Sequence, residues 1–175
     1  LIPQGVSVLT IPQQKVWLVF RNYHLDWQGQ ELTQILKRVQ QWENAGNHIQ
    51  GIQIDFDAKT KHIHQYALFL SQLRKQLPQH YQLSITGLMD WTNVTNQETL
   101  NLLNNTIDEL VIQTYQGSTT IPNYAAYLKK VSALKLPYKI GIVQYGEWHR
   151  PPKLENDPNF KGYVVFLLRS KPQNN

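Results

Sequence analysis

The chain reads as an α/β protein, a parallel (β/α) barrel of the TIM type, incomplete, with about six of eight strands present. Three observations predict this. First, apolar runs of strand length alternate with segments of helical period, every roughly 25–30 residues, as in repeated βαβ units. Second, apolar and polar residues alternate through His48–Ala58. Ile52, Ile54 and Phe56 therefore face one way, and Gln53, Asp55 and Asp57 the other. The amphipathic stretch that follows, to Leu77, makes this a strand feeding a helix, as in parallel sheets. Third, parallel strands are covered on both faces, so a face carrying two carboxylates must open onto solvent, a ligand or a polar lumen. The Asp55 and Asp57 Cα atoms lie roughly 6.6 Å apart at the carboxyl end of the strand, where α/β folds keep their sites. An ordinary barrel needs about 250 residues, and this chain has 175. Residues 1–175 are thus expected to be one domain, or a fragment lacking the first two strands. The alternative is an open, doubly wound sheet, although no glycine-rich phosphate loop follows the first strand.

The elements follow in order. Gly5–Thr10 is an edge strand or hairpin arm, because Pro12 bars it from the middle of a sheet. Val16–Phe20 is a buried strand. Leu32, Ile35, Leu36, Val39 and Trp42 recur at helical spacing, and Gly46-Asn47 ends that helix. After the Gln50–Asp57 strand comes a helix carrying Ile63, Tyr66, Ala67, Leu70, Leu73 and Leu77, closed by Pro78. Tyr81–Leu88 is a strand that leaves through Met89-Asp90-Trp91. Thr95-x-x-Glu98 is a capping box opening the helix through Leu100 and Leu103. Leu110–Tyr115 is the next strand, with Gln116-Gly117-Ser118 as its exit loop. A helix from Asn123 to Leu134 buries Tyr124, Tyr127, Leu128 and Val131. Tyr138–Tyr145 is a strand leaving through Gly146–His149, residues 150–158 are a long loop, and Tyr163–Leu168 is the sixth strand.

Seventeen Lys and Arg against 12 Asp and Glu give a net charge of +5 and a pI of about 9.4. The basic residues are not clustered: Lys59/Lys61, Arg74-Lys75 and Lys129-Lys130 read as solvated helix faces, so nucleic acid is not an expected partner. The absence of cysteine excludes disulfides, thiolate metal sites and thiol catalysis. His62 and His64 are two apart on a helix and diverge, so neither a metal nor another cofactor is expected. No apolar run reaches membrane-spanning length, and no membrane insertion is expected. The chain opens on Leu1 rather than Met, which allows upstream residues and a targeting signal to have been removed.

The residues leaving the carboxyl ends of the strands are Arg21, Asp55, Asp57, Asp90, Trp91, Tyr115, Gln116, Tyr145, Glu147, Trp148 and Arg169. Carboxylates, amides and flat aromatic rings are concentrated there, whereas the strand interiors are Val, Ile and Leu. A sugar offers hydroxyls at its edge and C–H groups on its faces, and this combination matches both. Glycoside hydrolysis needs two carboxyl groups flanking the bond, or one assisted by the substrate; Asp57, Asp55, Glu147 and Asp90 are the candidates. One would need a raised pKa, which a partly desolvated lumen beside another carboxylate provides. The competing reading is structural: Asp55 and Asp57 pair with Arg21 or Arg169. Ser84 and Thr86 share the inward parity and read as lumen fillers.

Gln50-Gly-Ile-Gln-Ile-Asp-Phe-Asp57 resembles the fourth-strand motif D-G-x-D-x-D-x-E of the family 18 chitinase-like glycosidases. Lys139–Gly146 looks like that superfamily's seventh strand, and Gln113-Thr-Tyr115 is similar to its sixth. Together with the Tyr66–Leu77 helix and Leu83–Trp91, the chain from Val16 to Arg169 resembles an uncharacterised bacterial family of predicted glycosidase-type barrels. The resemblance implies a barrel, a carbohydrate ligand, and a periplasmic or secreted setting. It places Asp57 where the acid Glu would stand and Asp55 where the substrate-orienting Asp would stand. It also implies Gln113, Tyr115 and Tyr145 as ligand-facing, beside the exit residues Trp91, Trp148, Arg21 and Arg169. Gln50 and Gln53 replace the two earlier carboxylates of the motif, and Asp57 is one methylene shorter than Glu. The expected function is accordingly a glycoside hydrolase or a non-catalytic glycan-binding relative, with an α/β domain of other binding function as the third reading.

Overall fold

The computed structural model describes residues 8–94 and 96–168. Six strands form one parallel sheet: β1 (Lys15–Arg21), β2 (His48–Asp55), β3 (Gln82–Leu88), β4 (Glu109–Gln113), β7 (Tyr138–Val143) and β8 (Phe160–Phe166). Between β4 and β7 the chain makes a small antiparallel hairpin, β5 (Tyr115–Gln116) with β6 (Thr119–Thr120). The sheet order is β1-β2-β3-β4-β7-β8, so each strand lies beside its neighbour in the chain and the order never reverses. The sheet curls into a half-barrel and stays open.

The register explains the two faces. Leu18, Ile52 and Leu83 align across β1 to β3, and Phe20, Ile54, Ile85, Leu110 and Tyr138 align across five strands through successive pairings. These side chains join the core built with Ile35, Val39, Trp42, Tyr66, Leu70 and Leu103. The helices that supply them are α1 (Gln30–Asn44), α2 (Ile63–Gln76) and α3 (Gln97–Thr106). The opposite, concave face carries Gln53, Asp55, Ser84, Thr86, Glu109, Gln113 and Lys139, the polar half of the same alternation. Ser84 donates to Gln53 at 3.2 Å, and Lys139 pairs with Glu109 at 2.8 Å. Gly51 sits on this face where β3 passes so near that a Cβ would collide with the Gln82 backbone.

Local chemistry sets the boundaries. α1 ends on Gly46 at φ 94°, a left-handed position that suits glycine. α3 is capped by Asn96, whose side chain accepts from the Thr99 N–H at 3.1 Å; the expected cap, Thr95, lies outside the described residues. The helix expected over Asn123–Leu134 is shorter: α4 covers Tyr124–Leu128, and a 3-10 turn takes Val131–Leu134. Residues 8–10 of the expected Gly5–Thr10 strand form no strand, and 5–7 lie outside the described residues. Asn47 fixes that segment instead, donating to Leu9 O and accepting from Ile11 N at 2.6 and 2.7 Å.

Both outer strands are bare. Val19 on the concave face of β1 is 49% exposed, and Phe166 on the concave face of β8 is 48% exposed. Val164 and Val165, on opposite faces of β8, are exposed as well.

Candidate functional site

At the carboxyl ends of β1 and β2 one guanidinium holds two carboxylates. Arg21 Nη1 donates to Asp55 Oδ1 at 3.0 Å, and Nη2 donates to Asp57 Oδ2 at 2.8 Å. The register sets up the first contact, because Arg21 pairs with Asp55 across the strands. Thr86 on β3 donates to the same Asp55 oxygen at 3.0 Å. β2 ends at Asp55, so Asp57 stands in the loop beyond it, 54% exposed, while Arg21 and Asp55 are about three-quarters covered. The structural pairing anticipated from sequence is the one formed. The Asp57 hydrogen bond and the Asp55 and Asp57 charges hold Arg21 firmly protonated against the opposing effect of burial. Its guanidinium also lies 5.1 Å from the centre of the Tyr23 ring, which is exposed.

Near this cluster two polar groups are buried without partners among the described residues: the Tyr66 hydroxyl, on α2, and Asn22 Nδ2. Burial pushes the Tyr66 hydroxyl well above its usual pKa, and the Asp55 charge adds to the shift. Such groups normally find partners. Asn22 is half satisfied: its Oδ1 accepts from Trp27 Nε1 at 3.1 Å.

The other side of the mouth is aromatic. Tyr115 stacks on Phe166 with ring centres 5.5 Å apart and planes 20° from parallel. Burial raises the Tyr115 pKa; its hydrogen bond with Gln113 opposes the shift, and the Asp55 charge adds to it. Tyr145 is 60% exposed and held at φ 66°, a left-handed conformation uncommon for a bulky residue. The turn that holds it closes from Gly146 N to Val143 O at 3.0 Å.

Several expected site residues are placed elsewhere. Trp91 is 1% exposed. Its indole lies over Gly87, where a Cβ would meet the ring at 3.0 Å, and its Nε1 donates to Ala58 O at 2.9 Å. Trp91 is therefore a core residue with no face for a ligand. Trp148 is half-buried, stacked on Tyr124 at 5.0 Å and perpendicular to Tyr163 at 5.6 Å, so its ring serves packing. Glu147 projects into solvent and pairs with His149 at 3.2 Å. Asp90 is partly buried in the 3-10 turn Met89–Asn93. Gln116 is exposed in the β5–β6 hairpin. Arg169 lies outside the described residues. Sequence reasoning missed Tyr23, Phe166, Asn22 and Tyr66, and read Thr86 only as filler. Strand parity carried a signal for two of them: Tyr23 continues the parity of Arg21, and Phe166 aligns with Val143 on the concave face.

The geometry defines an α/β half-barrel with an ionic cluster and an aromatic stack at the carboxyl ends of its strands. This chain belongs to the family described as domain of unknown function (DUF3142), which matches residues 23–146. The match takes in β2 through β7 and leaves Arg21 and Phe166 outside it. No curated protein and no solved structure matches the chain.

Proposed function

We propose that the open end of the half-barrel binds a carbohydrate, and that it does so as a binding site rather than as a two-carboxylate hydrolase. The observation that carries this reading is the Arg21 clamp on Asp55 and Asp57 together with the Tyr115–Phe166 stack at the carboxyl end of the same sheet. Carboxylates and amides reach a sugar's hydroxyls, and exposed rings cover its C–H faces. A general acid, by contrast, must carry a proton at working pH. Here one oxygen of Asp55 and one of Asp57 already accept hydrogen bonds from Arg21. Hydrolysis through Asp57 would require Arg21 to let go, with a second carboxyl about 5–9.5 Å away.

The same reading takes the half-barrel as six strands of a (β/α)8 barrel, with the other two lying between β8 and β1. The bare concave residues Val19, Val164 and Phe166 on those two strands support it, because parallel strands are ordinarily covered on both faces. The test is calorimetry against a panel of oligosaccharides, run alongside a reducing-end assay on the same panel. Binding without turnover is the expected result. Turnover abolished by Asp57→Asn overturns the choice of binding over hydrolysis, and a panel with no binder overturns the carbohydrate reading.

A further inference from the structure

Among the described residues of the Arg21 cluster, the charge does not balance. Arg21 supplies one positive charge against the two negative charges of Asp55 and Asp57, leaving 1 − 2 = −1. The Lys139–Glu109 pair on the same face is neutral and does not change this. This local negative charge stands in a chain of net charge +5.

Arg21 uses only one oxygen of each carboxylate. Asp55 Oδ2 and Asp57 Oδ1 accept no hydrogen bond from any described residue. Tyr23 is exposed beside them, its ring centre 5.1 Å from the Arg21 guanidinium carbon. Tyr66, whose hydroxyl has no partner among the described residues, packs its ring 5.0 Å from that of Phe56, between Asp55 and Asp57 in the chain. Free carboxylate oxygens beside an aromatic face recognise an ammonium group, through charge-assisted hydrogen bonds and the negative face of the ring. A sugar hydroxyl could use the same oxygens but would leave the negative charge uncompensated. An anionic sugar fits worse, since it would have to displace Asp57 from Arg21 and face the carboxylate it freed.

Resting on the carbohydrate reading above, we infer that the ligand is an amino sugar whose nitrogen is not acylated, its ammonium taken by the free oxygens of Asp55 and Asp57. The class is a de-N-acetylated hexosamine oligomer.

Calorimetry on the 175-residue chain tests this with three probes: a glucosamine pentamer, its fully N-acetylated counterpart and a neutral glucose pentamer. The glucosamine pentamer should bind roughly tenfold more tightly than either of the others, as expected for one added charge-assisted contact in a partly covered site. Raising salt from about 20 mM to about 300 mM should shrink that advantage. In Asp57→Asn the preference should disappear. If that variant fails to fold, the salt series and the acetylation comparison on the wild-type chain decide alone. Equal or tighter binding of the N-acetylated or neutral pentamer overturns the inference while leaving carbohydrate binding intact. Spermidine binding as tightly as the glucosamine pentamer overturns it too, because charge alone would then account for the affinity. Failure of every glycan in the wider panel overturns both readings.

Discussion

The two ends of the sheet treat their polar side chains differently. At the amino-terminal end they are tied to the fold. Asn47 bonds Leu9 O, Trp42 O and Ile11 N. Arg74 donates to the carbonyls of Leu77, Pro78 and Tyr81. Tyr81 donates to Glu43 at 2.5 Å, Tyr138 to Asp157 at 2.7 Å, and Asp108 accepts from Leu83 N at 2.8 Å. At the carboxyl end, among the described residues, one oxygen each of Asp55 and Asp57 accepts no bond, Tyr66 and Asn22 keep unpartnered atoms, and Tyr23, Tyr145 and Phe166 are exposed. Both ends are polar, so composition alone does not separate them. They differ in whether the polar atoms are already satisfied by the fold, which is the division between stabilising and functional ends known in parallel barrels.

The largest expected effect tests the amino-terminal end. Asn47→Ala removes three hydrogen bonds and leaves carbonyls unpaired, and should lower unfolding free energy by about 2–3 kcal/mol in urea titration. Glycan affinity of the folded fraction should not change; if it falls in step with stability, the two ends are not separable. Trp148→Ala should behave in the same way although it lies on an exit loop, losing about 1–3 kcal/mol of stability because its ring packs on Tyr124 and Tyr163. Loss of affinity at full stability would move Trp148 back into the site.

Tyr23→Ala is the converse change. The ring is exposed, so stability should stay within about 0.5 kcal/mol, while calorimetry should show about 1 kcal/mol weaker ligand binding. The smallest effect concerns pH. Burial, helped by the Glu43 hydrogen bond and charge, pushes the Tyr81 hydroxyl up to about 12 from 10.0. A pKa raised on folding favours the native state while the group is protonated. That contribution is complete below pH 10 and is lost as pH rises to about 12. Tyr81→Phe should flatten this part of the alkaline unfolding curve, and an unchanged slope would place the loss elsewhere.

How legible this was from sequence depended on periodicity. All six strands of the sheet and the carboxylate face were readable because β-strand parity is a hard geometric rule, and Gln53, Asp55 and Thr86 obey it. The Arg21–Asp55 contact was nearly readable, since it needs only the register between β1 and β2. Residues beyond the last strand position escape that rule. Trp91 looked like an exit aromatic, but Gly87 leaves the space that draws it into the core. Trp148 was drawn into packing by Tyr124, on an element far shorter than its periodicity implied. The β5–β6 hairpin, which sets the position of Tyr115, spans too few residues to leave a pattern. Tyr66 was correctly expected on a buried helix face, yet nothing in its spacing reveals that its hydroxyl would end near the ion cluster without a partner among the described residues.

The decisive question is which end of the sheet a glycan touches. Amide chemical-shift mapping of the 20.4 kDa chain during titration with the glucosamine pentamer reads this directly. Shifts should concentrate at Arg21–Tyr23, Asp55–Asp57, Thr86 and Gln113–Tyr115, and leave Asn47, Tyr81 and Asp108 still. Shifts confined to the amino-terminal end, or to the apolar groove of Leu25, Trp27, Leu68 and Phe69 between α1 and α2, would contradict it.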